Sequence, residues 1–203
     1  MSIKVLKPGV QTTVQDIGRY GYSHFGISSS GPADQFSFRL GNIILGNDEK
    51  LASLEMTLLG GDFQFNSDTE IAITGSRFNI SLDGKHIDYN LPILVKKNQV
   101  LSIGMTEEGA RCYLSIKGGV KTQNYLNSKT THVMAGMGGF LGRPLKKGDI
   151  VEIGKDNGVN SIDISNNIDE INRSIILINS GLQSSYFSDS TWASFTSKMF
   201  IVS

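Results

Sequence analysis

Short apolar or alternating runs dominate the chain from Phe63 onward: IAITG, FNISLDG, HIDY, PILV, VLSIG, RCYLSI and DIVEIG. Gly, Asp and Asn separate them, which is the pattern of half-buried strands punctuated by turns. Asp83-Gly84 sits between two such runs and is a strong hairpin signal. So many short strands at close spacing predict a barrel or sandwich rather than a parallel α/β sheet. Upstream, residues 3–6 read as a strand stopped by Pro8 and Gly9, and residues 12–15 as a second, ended by a turn at Asp16 to Gly18. One helix signal stands out. Phe36, Leu40, Ile43 and Ile44 make an apolar stripe, expected to face the core. Ser30, Gly31 and Pro32 offer a start and Gly46 with Asn47 a left-handed stop, so a helix is expected over 33–45. Residues 117–149 are glycine-rich without a strand pattern, and long loops in compact domains are often functional. The polar stretch 155–172 reads as a linker or exposed loop. The strand SIILIN, a short helix over 188–195 and the opening of a strand at KMFIVS follow. The expected organisation is a first lobe over 1–154, the linker or loop over 155–172, and the start of a second lobe over 173–203.

Composition narrows the function classes. At 203 residues the chain suffices for one large or two small domains. Lysine plus arginine and aspartate plus glutamate both total 19, which removes the electrostatic footprint of a nucleic-acid binder. No apolar run reaches membrane-spanning length, and MSIKVLKPGVQ lacks the apolar core of a signal peptide. The single cysteine, Cys112, excludes an internal disulfide and fits a reducing compartment. Within the strand pattern RCYLSIKGG it reads as a buried, inert thiol. The expectation is a soluble cytoplasmic protein without membrane or nucleic-acid partners.

Standard catalytic motifs are missing. His24, His86 and His132 are far apart, so no metal site is expected. Neither a G-x-S-x-G elbow nor a Walker A loop is present. Gly136, Gly138, Gly139 and Gly142 lack dinucleotide-fingerprint spacing; they form either ordinary turns or a nest of N–H groups for an anion. No Met-Lys-Met biotin acceptor occurs, so any biotin would ride on another chain. The stretch 14–57 sets Asp16, Arg19, His24, Asp34, Arg39, Asn42, Asn47 and Glu55 among glycines. It is either a surface shaped for contact or a solvated connection. Asp16 and Arg19 suit a local ion pair as well as chemistry, and Asp34 suits the first turn of the helix. Asn42 and Asn47 suit bonds to backbone at the helix end. Glu55, between Leu54 and Met56, needs a partner if buried.

The run TTVQD-x-GR-x-G, then SGPAD, GN, GN and LE-x-T, resembles the allophanate hydrolase subunit 2 family, also called the biotin-dependent carboxyltransferase or KipA family. ITGSRF, GARCYLSIKGGV, LNSKTTHVMAGMGGFLGRPLKKGD and SGLQSSYFSDSTWASF extend the resemblance along essentially the whole chain. The family includes the C subunit of bacterial 5-oxoprolinase and the carboxyltransferase part of urea carboxylase. The resemblance implies a mainly β, cyclophilin-like β-barrel with a few short helices and a second barrel-like lobe. It implies work in a complex: ATP-dependent opening of L-pyroglutamate to L-glutamate with two sibling 5-oxoprolinase subunits, one of them KipI-like. The alternatives it carries are carboxyl transfer from biotin on a partner carrier, of the urea carboxylase or allophanate hydrolase type, and a KipA-like, non-catalytic antagonism of a kinase inhibitor.

On this resemblance the catalytic candidates are Asp16, Glu55 and His132. The substrate-binding candidates are Arg19, Asp34, Arg143, Gly138 and Gly139, the two arginines because a guanidinium pairs bidentately with planar anions. Two departures stand out. Where the family has LGSRST, this chain has Asn127 and Lys129 in LNSKTT, which keeps the charge without the planar fork. Family members also continue past FIVS, so the second lobe is expected to be incomplete here.

Overall fold

Among the described residues, alternating apolar and polar positions build ten strands into one antiparallel sheet. The computed structural model describes residues 1–163 and 178–199. The strands are β1 (Ser2–Lys7), β2 (Gln11–Gln15), β3 (Ser53–Thr57), β4 (Asp62–Phe65), β5 (Thr69–Leu82), β6 (Lys85–His86), β7 (Ile93–Val95), β8 (Val100–Ile116), β9 (Val120–Lys121) and β10 (Ile150–Ile153). Their order is β2-β3-β8-β4-β1-β10-β9, with β5 pairing with β8 off this path and carrying β6 and β7. The sheet is a nearly closed barrel with an unsealed seam. Ile3, Val14, Leu54, Phe63, Ile73 and Leu114 are among the fully buried residues of its core.

The mainly β expectation holds, with two corrections to the strand pattern. IAITG and FNISL form one strand, β5, and VLSIG and RCYLSI another, β8. The expected break at Gly75 is a bulge: Gly75 has φ +98° and the β5–β8 register shifts between it and Arg77. A glycine inside a strand bends the ladder without ending it. Asp83 and Gly84, both with positive φ, close the two-residue hairpin from Leu82 to Lys85.

The helix α1 (Gln35–Ile44) begins later than its sequence signals suggest. Its N-cap is Asp34, which accepts from the Ser37 amide, while Ser30 lies upstream at φ +52°. The apolar stripe is a second correction: Phe36 is 58% and Ile43 41% exposed. The buried face instead carries Ser37, Phe38, Gly41, Asn42 and Ile44. Close approach to a polar sheet face selects it, since a Cβ on Gly41 would lie 2.6 Å from the Ser115 hydroxyl. The stop is as expected: Gly46 N–H donates to Ile43 O and Asn47 N–H to Asn42 O, the paired bonds of a Schellman motif. Asn42 and Asn47 do bond to backbone, at Leu51 O (2.8 Å) and Ile116 O (2.9 Å).

Beyond the helix end, the buried Lys117 ammonium donates to Leu45 O (2.5 Å), to Val159 O and to the Ser161 hydroxyl (3.3 Å). A cation there satisfies terminal carbonyls and opposes the negative end of the helix dipole. It also holds the segment around Val159 and Ser161 against the end of α1, where Ile162 N–H reaches Ile44 O.

The chain divides into two compact units, Met1–Ile168 and Asp169–Ser203. In the second, helix α2 (Asp189–Ser197) is capped by Ser188, and Trp192 meets Phe187 and Phe195 edge-on. The expected SIILIN and FIVS strands lie mostly outside the described residues. Among those described, no helix is long and apolar enough to cross a membrane, and no group of three or more His, Cys, Asp or Glu could hold a metal ion.

Candidate functional site

Alternation gives the sheet two unlike faces. Val14, Leu54, Leu114 and Ile73 pair in register across β2, β3, β8 and β5, and all four enter the core. One residue along, Thr13, Glu55, Tyr113 and Thr74 form a polar row on the opposite face. That row is buried too, beneath α1 and the loop over 16–34, so its polar groups require partners.

Glu55 and Tyr113 supply them. Glu55 Oε2 accepts from the Tyr113 hydroxyl and from the Ala33 amide, each at 2.8 Å. The same hydroxyl accepts from the Asp34 amide at 2.8 Å. Glu55 Oε1 lies 3.7 Å from Arg111 Nε. The carboxylate–phenol pair thus anchors the approach to α1 on the sheet. Burial first, and the Glu55 charge second, push the Tyr113 phenol well above its usual range, which keeps it a proton donor.

A second network ties the loop over 16–34 to the loop over 125–143. Asp16 accepts from Gly18 N–H (3.0 Å), the Ser128 hydroxyl (2.6 Å) and Lys129 N–H (2.5 Å). Gln15 bonds the Thr130 hydroxyl, which accepts from Gly31 N–H at 2.9 Å. Leu126 and Asn127 turn the hairpin in left-handed conformations, so Asn127 adopts the backbone that glycine would.

Arg19 lies within this crossing, 1% exposed. The ion pair with Asp16 does not form. Arg19 Nη2 donates to Thr130 O (2.7 Å), the guanidinium carbon sits 5.8 Å from the Tyr125 ring centre, and Nε and Nη1 make no hydrogen bond. No carboxylate of the described residues lies within ion-pairing distance of it. An arginine stays charged, so this is a buried cation without a counter-ion. It borders the glycine turn: a Cβ on Gly138 would lie 2.4 Å from Arg19 Nη2, and one on Gly139 only 1.8 Å from the Thr131 hydroxyl.

The structure therefore brings Asp16, Arg19, Gly138 and Gly139 together, and links them to Glu55 through the 16–34 loop. His132 opens the glycine turn, its Nδ1 accepting from Ala135 N–H at 3.0 Å, which leaves Nε2 as its free nitrogen. Asp34 is committed to capping α1, where Ser37 N–H and the Ser37 hydroxyl both donate to it. Arg143 is not brought to the cluster's open cation role: it makes a bidentate pair with Asp149, at 2.7 and 2.9 Å, and stacks on Phe140. That bond to Arg143 holds the Asp149 carboxyl below its usual range. His24 is exposed and its ring meets that of Phe25 at a tilt. Tyr113 and Thr130 escaped the sequence reading. Tyr113 had a signal, since alternation in RCYLSI puts it on the same face as Arg111 and Ser115 and opposite the core residues.

Cys112 points into the core, and burial, then the Glu55 charge, push its thiol far up. The folded thiol keeps its proton where the unfolded chain, with its ordinary value of 9.0, loses it. This contribution is full below that pH and is lost as pH rises from there toward the raised folded value. Cys112→Ala should remove about 1.4 kcal/mol per pH unit from the alkaline fall in stability. Urea midpoints measured between pH 8 and 10.5 check it; an unchanged slope would refute it.

The model of the carboxyltransferase domain, subdomain A and B, matches residues 25–203. Urea amidolyase of Saccharomyces cerevisiae is 43% identical over 151 residues, 74% of this chain and 8% of that protein. The C subunit of 5-oxoprolinase from Escherichia coli is 35% identical over 153 residues, 75% of this chain and 49% of that one. The solved K. lactis urea amidolyase superposes with a TM-score of 0.75 at 42% identity, over 79% of this chain and 10% of that one. The chain thus spans about half the length of the 5-oxoprolinase relative and under a tenth of the yeast amidolyase. With the barrel and the buried polar crossing on which these motifs converge, the chain belongs to the family of carboxyltransferase domains with subdomains A and B.

Proposed function

We propose that this chain serves as one subunit of an ATP-dependent 5-oxoprolinase, acting with two sibling subunits, one of them KipI-like, to open L-pyroglutamate to L-glutamate. The observation that carries this reading is Arg19, a buried guanidinium with two unpartnered nitrogens, Nε and Nη1, and no counter-ion among the described residues. Pyroglutamate brings a carboxylate that a guanidinium pairs with well. The relatives named as the C subunit of 5-oxoprolinase support the role within a complex. In this scheme Asp16 and Glu55 hold the loops in place, and His132 Nε2 is the group free to move a proton. ATP is consumed by the complex; no phosphate-binding motif of this chain is assigned to it. The test is ATP hydrolysis by the two siblings with L-pyroglutamate, with and without this chain. Stimulation is expected, and Arg19→Ala should lower it at least tenfold while leaving the chain folded by circular dichroism. Absence of stimulation by the wild-type chain would overturn the proposal.

One observation favours a second reading, carboxyl transfer from a biotin carried on another chain. Identity to the yeast urea amidolyase, 43%, exceeds the 35% to the E. coli 5-oxoprolinase relative. Carboxybiotin also presents a carboxylate, so Arg19 fits it equally. This reading predicts urea-dependent turnover that avidin blocks, and no response to pyroglutamate.

A further inference from the structure

The turn over 136–142 carries more hydrogen-bonding capacity than the chain uses. Gly142 N–H closes it onto Gly138 O at 2.8 Å, and Arg143 N–H reaches Phe140 O. The intervening amides of Gly138, Gly139, Phe140 and Leu141 make no hydrogen bond with any described residue. Gly138, Gly139, Leu141 and Gly142 all have positive φ, between 53° and 70°. Successive amides in such a turn form a concave nest whose N–H dipoles favour an anion. Gly139 is buried, so its unpaired donor is costly without a ligand.

An independent feature stands directly behind the turn. Arg19 is buried, lies against Gly138, and has Nε and Nη1 unpartnered. A buried cation that lacks a counter-ion is strongly unfavourable unless an anion compensates it. Glycine is required at both positions for this approach: a side chain at 138 would strike Thr130 O and Arg19, and one at 139 would strike Thr131. The glycine at 138 therefore lets the turn's backbone lie against the Nη2 edge of the guanidinium, and the one at 139 lets it lie against Thr131.

We infer that the amides of residues 138–141, backed by Arg19, form a carboxylate-binding nest. The inference rests on the reading above only in taking the ligand to carry a carboxylate, and it names which groups of the chain receive it. The carboxylate comes either from a small free acid or from a carboxylated ureido ring presented by a carrier. Arg19 supplies the charge, the amides supply direction, and the carboxylate replaces the missing counter-ion.

Amide NMR of the full chain tests this. Titration with L-pyroglutamate should produce saturable shifts at the amides of 138–141. 2-Pyrrolidinone, the same lactam without the carboxylate, should bind at least tenfold more weakly. Arg19→Lys should weaken pyroglutamate binding by a similar factor; the lactam comparison needs no variant and stands even if that one misfolds. A second probe, 2-oxoimidazolidin-1-ylacetate, carries its carboxylate on a ureido ring. If it shifts these amides tenfold more tightly than pyroglutamate, the nest is upheld, its source is the carboxylated carrier, and the 5-oxoprolinase reading loses its support. Shifts confined to other amides, no shift with either acid, or equal affinity for 2-pyrrolidinone would overturn the nest. A complex that hydrolyses ATP with pyroglutamate while these amides stay silent would remove the nest and leave the proposed activity standing.

Discussion

Asp16→Ala should destabilise the first unit by about 4 kcal/mol, because three donors lose their acceptor at once. The amides of Gly18 and Lys129 and the Ser128 hydroxyl all converge on this carboxylate. Each buried donor left unpaired costs roughly 1–3 kcal/mol, and relaxation recovers part of the sum. The Lys129 bond spans 113 positions, so its loss also frees one loop from the other. With a denaturant slope of about 2 kcal/mol/M, the urea midpoint should fall by about 2 M. Asp16→Asn keeps one acceptor oxygen but turns an NH2 toward the donors, and should recover less than half of the loss. A midpoint for Asp16→Ala within about 0.5 M of wild type would show that the crossing is held elsewhere.

Glu55 offers a sharper separation of anchor from catalyst. Glu55→Ala should cost about 3 kcal/mol, since it strands the Ala33 amide and the Tyr113 hydroxyl beneath the 16–34 loop. Glu55→Gln retains an oxygen of the same shape facing those two donors and should cost about 1 kcal/mol. In the reconstituted complex, Glu55→Gln should stay within about threefold of wild-type turnover, because both donors on Oε2 come from the chain itself. General acid–base catalysts contribute about 100-fold or more. A folded Glu55→Gln that lost a hundredfold in turnover would make Glu55 a proton-transfer residue and reverse this assignment.

Both effects depend on partners remote in sequence, and this is where sequence reading runs out. Asp16 and Arg19 are three residues apart and of opposite charge, which suggested an ion pair. Instead both turn to one stretch of the 125–143 loop, Asp16 accepting from Ser128 and Lys129 and Arg19 donating to Thr130 O. Arg143 was a substrate-binding candidate on the family resemblance, and its guanidinium is instead taken by Asp149 just before β10. The apolar residues of α1 suggested a core-facing stripe, yet the helix lies on the polar face of the sheet. There small residues allow contact, and Ser37 O accepts from the Thr74 hydroxyl at 2.7 Å.

Features that local chemistry settles within a few residues were legible along the chain. Its alternation set the strands, and Asp83-Gly84 the hairpin, because only residues tolerant of positive φ fit that turn. Gly46 and Asn47 ended the helix, and the single cysteine between core positions was bound to be inert. The tertiary fold decided which polar groups remote in sequence bond one another and which are left over. A hydrogen bond or ion pair between loops more than a hundred residues apart leaves no periodicity in sequence. Only after Asp16, Asp34, Glu55 and Arg143 find their partners does Arg19, with the four amides beside it, remain as unspent binding capacity.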